Sequence, residues 1–269
     1  MTNLNTGTDV MLAKRVGRVA ILSFNRPEAR NALHPETYEA FNRMLPLLAE
    51  DPDVGALMIT GTGGAFCAGG DLKSMNARNT GVSSEAATDD LRARQRAVSF
   101  ALNTFPKVTV AAIDGAAAGA GMSIALACDL RVASVRAVFT TAFAKVGFSG
   151  DFGGSYFLTQ LVGAGKAKEL YLTAERFDAK TADELGIVNQ VLEGDDFESL
   201  AVAYCQQFAD GPTIAHRYMK ENLNRALVAD LATCLDAEAT AMTRCRSTDD
   251  HKEAVEAFVA KRTPIFHGR

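Results

Sequence analysis

The chain has no excess of positive charge: 28 Lys and Arg stand against 32 Asp and Glu, a net charge of −4 over 269 residues. It therefore offers no basic field to a nucleic-acid backbone or an anionic membrane, and any anionic ligand must be held by local cations. Its five cysteines, Cys67, Cys128, Cys205, Cys234 and Cys245, form no Cys-x-x-Cys pair and are odd in number. They read as reduced thiols of a cytoplasmic protein. No basic stretch followed by an apolar one opens the sequence, so no secretory leader is expected. The longest apolar stretch, residues 111–127, is broken by Asp114 and several glycines, which argues against a membrane span. No His/Cys/Asp cluster has metal-ligand spacing, and no metal is expected.

Nucleotide motifs are missing too. No Gly-x-x-x-x-Gly-Lys-Ser/Thr run exists, and Gly163-Ala164-Gly165-Lys166 lacks the earlier glycine and the following hydroxyl. Gly119-Ala120-Gly121 continues without the third glycine of the dinucleotide fingerprint.

Present instead are two segments rich in glycine and alanine, residues 63–71 and 114–123, each following an apolar run that reads as a strand. Small residues there let strands and helices pack closely. They also let a ligand approach the main chain, where N–H groups can be aimed at one oxygen. Because the second segment opens a helix, its first N–H groups are free for an anion or oxyanion.

Around these segments the pattern is one of crossover units. Strands are expected at Val10–Leu12 and Val19–Phe24 around a turn at residues 15–18, then a helix from Pro35 with Tyr38, Phe41, Leu45 and Leu48 on one face. Val54–Thr60, Val108–Ile113 and Leu130–Ala133 read as further strands and Ala120–Cys128 as a helix, which makes an α/β protein with a partly parallel sheet. The polar stretch 75–96 is expected to hold a mobile loop and an exposed helix. Beyond residue 196 the strand signals stop. Helices are expected at 201–209, 213–229, 231–243 and 249–261, so the chain divides into a core (1–196) and a helical lid or assembly region (197–269).

Asn25-Arg26-Pro27 through Leu33, Ala65 through Leu72, Asp114 through Ser123 with Cys128-Asp129-Leu130-Arg131, Ala174 through Val188, and Ser247 through Phe266 lie in an order and spacing that resemble the crotonase superfamily, the enoyl-CoA hydratase/isomerase family. The resemblance implies a spiral of β-β-α turns with a C-terminal helical trimerisation region, assembled as homotrimers or dimers of trimers. It implies an acyl-CoA thioester as substrate, with coenzyme A entering as part of it and no separate cofactor. Carried over by position, the N–H groups of Gly70 and Ala120 would hold the thioester oxygen. Ala29, Arg30, Ala68 and Leu72 would lie along coenzyme A, with Phe258 and Lys261 reaching its adenosine from a neighbouring subunit.

The two glutamates of the hydratases align with Ser123 and Phe143, neither of which can do carboxylate chemistry. Asp151 aligns with the acid or base of ring-processing and dienoyl-CoA isomerases; the structural alternative is a turn-capping Asp before Gly153-Gly154. The residues thus point to an enoyl-CoA isomerase with Asp151 as acid/base. The alternatives are a hydratase with an atypical base and a non-catalytic acyl-CoA binder; a dehalogenase would need a histidine near Asp151. His34 is expected as an N-cap or surface group and Cys67 as a packed thiol. Asp71 and Asp129 are expected to hold backbone or Arg131, and Arg92, Arg94 and Arg96 to form a solvated face with a minor possible role beside CoA phosphates. Phe143, Phe148, Phe152 and Tyr156 suggest either an apolar pocket or core packing.

Overall fold

A computed structural model describes residues 1–71 and 83–269. Its main sheet has the order β1-β2-β3-β4-β6-β8-β11. The strands are β1 (Thr2–Leu4), β2 (Met11–Val16), β3 (Val19–Phe24), β4 (Ala56–Gly61), β6 (Val108–Ile113), β8 (Leu130–Ser134) and β11 (Gln190–Leu192). The hairpin β2/β3 pairs Met11 with Phe24 and Val16 with Val19, so β2 outruns the expected Val10–Leu12 and the turn shrinks to Gly17-Arg18. From β3 to β11 all pairs are parallel.

The apolar runs are continuous because both faces of this sheet are covered. Ala20, Leu22, Leu57, Ile59, Ala111 and Ile113 point into one core, and Val19, Ile21, Ala56, Met58, Val110 and Ala112 into the other. On the first face lies α1 (Pro35–Glu50), burying Phe41, Met44, Leu45 and Leu48. The second is closed by α6 (Phe197–Ala209), whose Phe197, Ala201, Cys205 and Ala209 recur every four residues on one helical face.

A second sheet, β10-β9-β7-β5, consists of β5 (Ala65–Cys67), β7 (Ala116–Ala118), β9 (Val138–Thr140) and β10 (Phe177–Asp178). Strands of two or three residues are too short to show a period of two, so the sequence pattern missed this sheet. It matters most for the site, because β5 and β7 come from the two glycine-rich segments and pair in parallel, Ala65 with Ala116 and Cys67 with Ala117.

Further helices are α2 (Ser84–Gln95), α3 (Ala120–Ala127), α4 (Gly154–Thr173), α5 (Ala179–Glu184), α7 (Thr213–Ala226), α8 (Leu231–Arg246) and α9 (Asp249–Ala260). As expected, α2 buries none of its residues. It is followed by a wide π turn, Arg96–Phe100. Gly163 interrupts α4 with φ 75, so Gly163-Ala164-Gly165 is a kink within helical structure. The C-terminal helices differ from expectation at their ends: α6 starts at Phe197, α7 stops at Ala226 and α8 runs on to Arg246. α7 is tied to the core by Lys220, whose ammonium donates to Asp129 at 2.8 Å. Asp129 also accepts from Thr109 N and Oγ1, so of the two expected roles it holds backbone and not Arg131. The buried Arg131 guanidinium instead donates to the carbonyls of Ile187 and Cys128.

Candidate active site

The pairing of β5 with β7 brings the two glycine-rich segments into contact just beyond their strands. Gly69 adopts φ +88, and a methyl there would stand 2.7 Å from the Ala118 carbonyl oxygen and 3.2 Å from the Ala120 nitrogen. Only glycine permits that approach. Gly119, with φ 53 and ψ −127, turns the chain into α3, so Ala120 is the first helical residue. Ala120 is not among the residues of positive φ, so it keeps its backbone donor without strain. Ser123 N already donates to Gly119 O. For Gly70 N–H and Ala120 N–H no acceptor is found among the described residues. Two donors without an acceptor among the described residues, one at a helix N-terminus, thus lie on segments that touch at Gly69 and Ala120.

The Asn-Arg-Pro loop is stitched to the first donor. Leu33 N donates to Gly69 O at 2.8 Å and Ala68 N to Arg30 O at 3.0 Å. Asn31, 1% exposed, accepts from Arg26 N and donates to the carbonyls of Thr62 and Ala65. Arg26 forms an ion pair with Asp71 at 3.2 Å. Arg30 and Ala68 are thus joined, Ala29 is held within the same loop by its N–H to Arg26 O, and Leu72 lies outside the described residues. Phe258 is 85% exposed near the end of α9 and Lys261 caps that helix; no interaction joins either to Gly70 or Ala120 among the described residues.

Asp151 follows the short turn Phe143–Val146 after β9. Its Oδ1 is buried and lacks a hydrogen-bond partner, and burial pushes its carboxyl up to about 6. The turn is closed by main chain, Gly154 N donating to Asp151 O, so the side chain caps nothing among the described residues. Two stacked aromatic pairs flank it. On one side Phe152 stacks on Tyr38 with ring centroids 6.0 Å apart, and Gln95 Oε1 accepts from Phe152 N. On the other, Phe143 stacks on Tyr171 at 5.9 Å, and both rings pack against Gly150. Phe143 also lies against Gly119. Ser123 donates to Gly119 O, one turn back on its own helix, and its oxygen and the Tyr171 hydroxyl both lie against Gly154. Of the four expected aromatics, Phe143 and Phe152 are buried, while Phe148 and Tyr156 are exposed.

Tyr38 and Tyr171 were not singled out from sequence as site residues. Tyr38 reads there as one apolar position of α1, and Tyr171 sits in a helix with no distinguishing pattern. The signal that finds them is tertiary: each hydroxyl feels the charge of Asp151 and is pushed up to about 12 by burial. His34 caps α1 as expected. Cys67 is fully buried and its thiol pushed up to about 12, a packed group. Arg92 and Arg94 pair with Asp89 and Asp90 on the α2 surface, but Arg94 also lies over the Tyr38 ring, 4.9 Å from its centroid. A separate cavity of about 400 Å³, lined by Leu126, Phe157, Leu161, Met219 and Leu223, contains neither Gly70 nor Ala120.

The two glycine-rich segments thus meet at Gly69 and Ala120, and the segment whose Phe143 packs on Gly119 also carries the buried Asp151 carboxyl. The sequence model of the enoyl-CoA hydratase/isomerase family matches residues 14–269, and the chain belongs to that family. The short-chain-enoyl-CoA hydratase of Clostridium acetobutylicum is 33% identical over 253 residues, which are 94% of this chain and 95% of that protein. The 1,2-epoxyphenylacetyl-CoA isomerase of Escherichia coli is 33% identical over 251 residues, 93% of this chain and 95% of that protein. Among solved structures, an enoyl-CoA hydratase from Polaromonas sp. JS666 matches with a TM-score of 0.90 and 35% identity, covering 95% of this chain and 99% of the other. The α/β spiral with C-terminal helices is accordingly the fold of that superfamily. No helix among the described residues is long and apolar enough to cross a membrane.

Proposed function

We propose that the protein is an enoyl-CoA double-bond isomerase. The thioester oxygen accepts hydrogen bonds from Gly70 N–H and Ala120 N–H. The Asp151 carboxylate removes a proton from the α-carbon of a 3-enoyl thioester, and the electron pair is delocalised into a dienolate whose charge rests on that oxygen. The same carboxyl then returns the proton to the γ-carbon, leaving the conjugated 2-enoyl thioester, so no atom is gained or lost. The observation that carries this reading is the buried, unpartnered Asp151 Oδ1 with its carboxyl raised to about 6. Such a base is matched to a proton that must be taken and given back near neutral pH. Coenzyme A would run along Ala29, Arg30, Ala68 and Leu72, with Phe258 and Lys261 supplied by a second copy in a trimer or hexamer.

A second reading, hydration with Asp151 acting on water, draws support from relatives such as the Clostridium acetobutylicum hydratase. Against it stand Ser123, an alcohol that donates to Gly119 O, and the apolar Phe143 ring where a second carboxylate would be needed. The two are separated by incubating purified protein with 3-hexenoyl-CoA and with crotonyl-CoA. Isomerisation of the first without hydration of the second is the expected result; rapid hydration of crotonyl-CoA would overturn it.

A further inference from the structure

Phe152, the residue after Asp151, adopts φ 50, a left-handed conformation that a bulky side chain rarely takes, and its ring is 2% exposed. Such a residue persists only where its surroundings hold it there. Its ring is held by stacking on Tyr38, with centroids 6.0 Å apart and planes 9° from parallel, and its N–H donates to Gln95 Oε1 at 2.9 Å. Gln95 is the last residue of α2, a helix that buries none of its residues. The π turn that follows it buries Val98 and Ser99, so Gln95 stands where an exposed helix becomes anchored. π turns interrupt regular helical bonding and concentrate at functional sites.

Asp151 Oδ1 has no hydrogen-bond partner, so the direction of the carboxyl is set by the main chain beside it. Gly150 and Gly153, both of positive φ, flank the Asp151-Phe152 pair and offer no side chain to anchor it. The planar peptide unit between the two residues is pinned at both polar ends: Asp151 O accepts from Gly154 N at 3.1 Å, and Phe152 N donates to Gln95. Gly154 belongs to the same turn and moves with it. Gln95 lies 57 residues away on another element and ties that plane to a separate frame. We propose that Gln95 is a positioning residue for Asp151: by accepting the Phe152 N–H it holds the adjoining peptide in its strained conformation and so fixes where the Asp151 carboxyl points. The inference rests on the reading of Asp151 as the acid/base. Displacing a reacting group by about 1 Å can cost about 10²-fold in rate. The loss falls on proton transfer, while the hold on the thioester stays with Gly70 and Ala120.

The test is steady-state isomerisation of 3-hexenoyl-CoA by the full chain and by two variants, with kcat normalised to folded protein by circular dichroism. Gln95→Met has a side chain of similar length and no acceptor oxygen; Gln95→Glu keeps one. The expected result is a kcat lower by about 10- to 100-fold in Gln95→Met with KM within about threefold, and a kcat in Gln95→Glu within about threefold of the unaltered protein. An unchanged kcat in Gln95→Met, beside loss of turnover in Asp151→Asn, would overturn the inference and leave Asp151 as the base. A raised KM with kcat unchanged, a rate fully recovered once folded protein is counted, or a Gln95→Glu as slow as Gln95→Met would overturn it as well. No turnover by the unaltered protein, or equal turnover in Asp151→Asn, would overturn the reading of Asp151 and this inference together.

Discussion

The two halves of the proposed site are made of different material. The donor half, Gly70 and Ala120, would act through main chain, and its geometry follows from the pairing of β5 with β7 and from Gly69 and Gly119. The acid half, Asp151, would act through a side chain, which follows the turn after β9 and is fixed by its neighbour Phe152 packing on Tyr38 of α1. Backbone donors tolerate many side chains, which is why Ala120 can stand at its position. The side-chain half changes chemistry with a single substitution, and it is there that the choice among reactions of one fold is made.

The largest effect is expected for Asp151→Asn, which keeps the shape of the acid half and removes its base. Deuterium exchange into an enoyl-CoA should fall by about 10²- to 10⁴-fold. Stability should move the other way. Burial holds the folded carboxyl at about 6, above its ordinary 3.8, so the folded protein binds that proton more tightly than the unfolded chain. Stability is therefore lost as pH rises between those values, and the full cost is present above pH 6. The Asn variant escapes it and should be more stable in urea at pH 8 by roughly 1–3 kcal/mol, a gain that vanishes below the unfolded carboxyl's range.

Ala120→Pro strikes the donor half. Proline is tolerated at a first helical position, so α3 should persist while its one donor to the ligand is lost. Exchange should fall by about 10²- to 10³-fold with the circular dichroism unchanged. Asn31→Ala leaves both donors in place but removes three hydrogen bonds, one within the Asn-Arg-Pro loop and two from it to the carbonyls of Thr62 and Ala65, and should cost about 3 kcal/mol in urea unfolding. The smallest effect is expected for Ser123→Ala. Because Ser123 serves Gly119 O, stability should drop by about 1 kcal/mol and exchange stay within about threefold.

Legibility in the sequence followed the same division. The long apolar runs of β3, β4 and β6 and the four-residue recurrence in α6 are strong local signals, and the glycine-rich segments announce close backbone approach by composition alone. The small sheet that joins those segments is invisible, because β5, β7, β9 and β10 are too short to show periodicity. Asp151 was reachable by its spacing, but its lack of a partner was not. Tyr38 and Tyr171 are spaced like ordinary helix residues, and their place beside Asp151 depends on how α1 and α4 pack, which no local pattern encodes. Asp129 reads from sequence as holding backbone or Arg131; it does hold the Thr109 N–H, but its charged partner, Lys220, lies 91 residues away and no local pattern encodes it.

The account turns on one carboxyl working with one donor pair. The most direct measurement is the pH dependence of solvent deuterium incorporation into an enoyl-CoA, taken from pH 4.5 to 8.5. The rate should rise tenfold per pH unit at first and level off around pH 6 as the Asp151 carboxyl ionises, with no such inflection in Asp151→Asn. An inflection that persists unchanged in Asp151→Asn, or exchange as fast in that variant as in the unaltered protein, would contradict it.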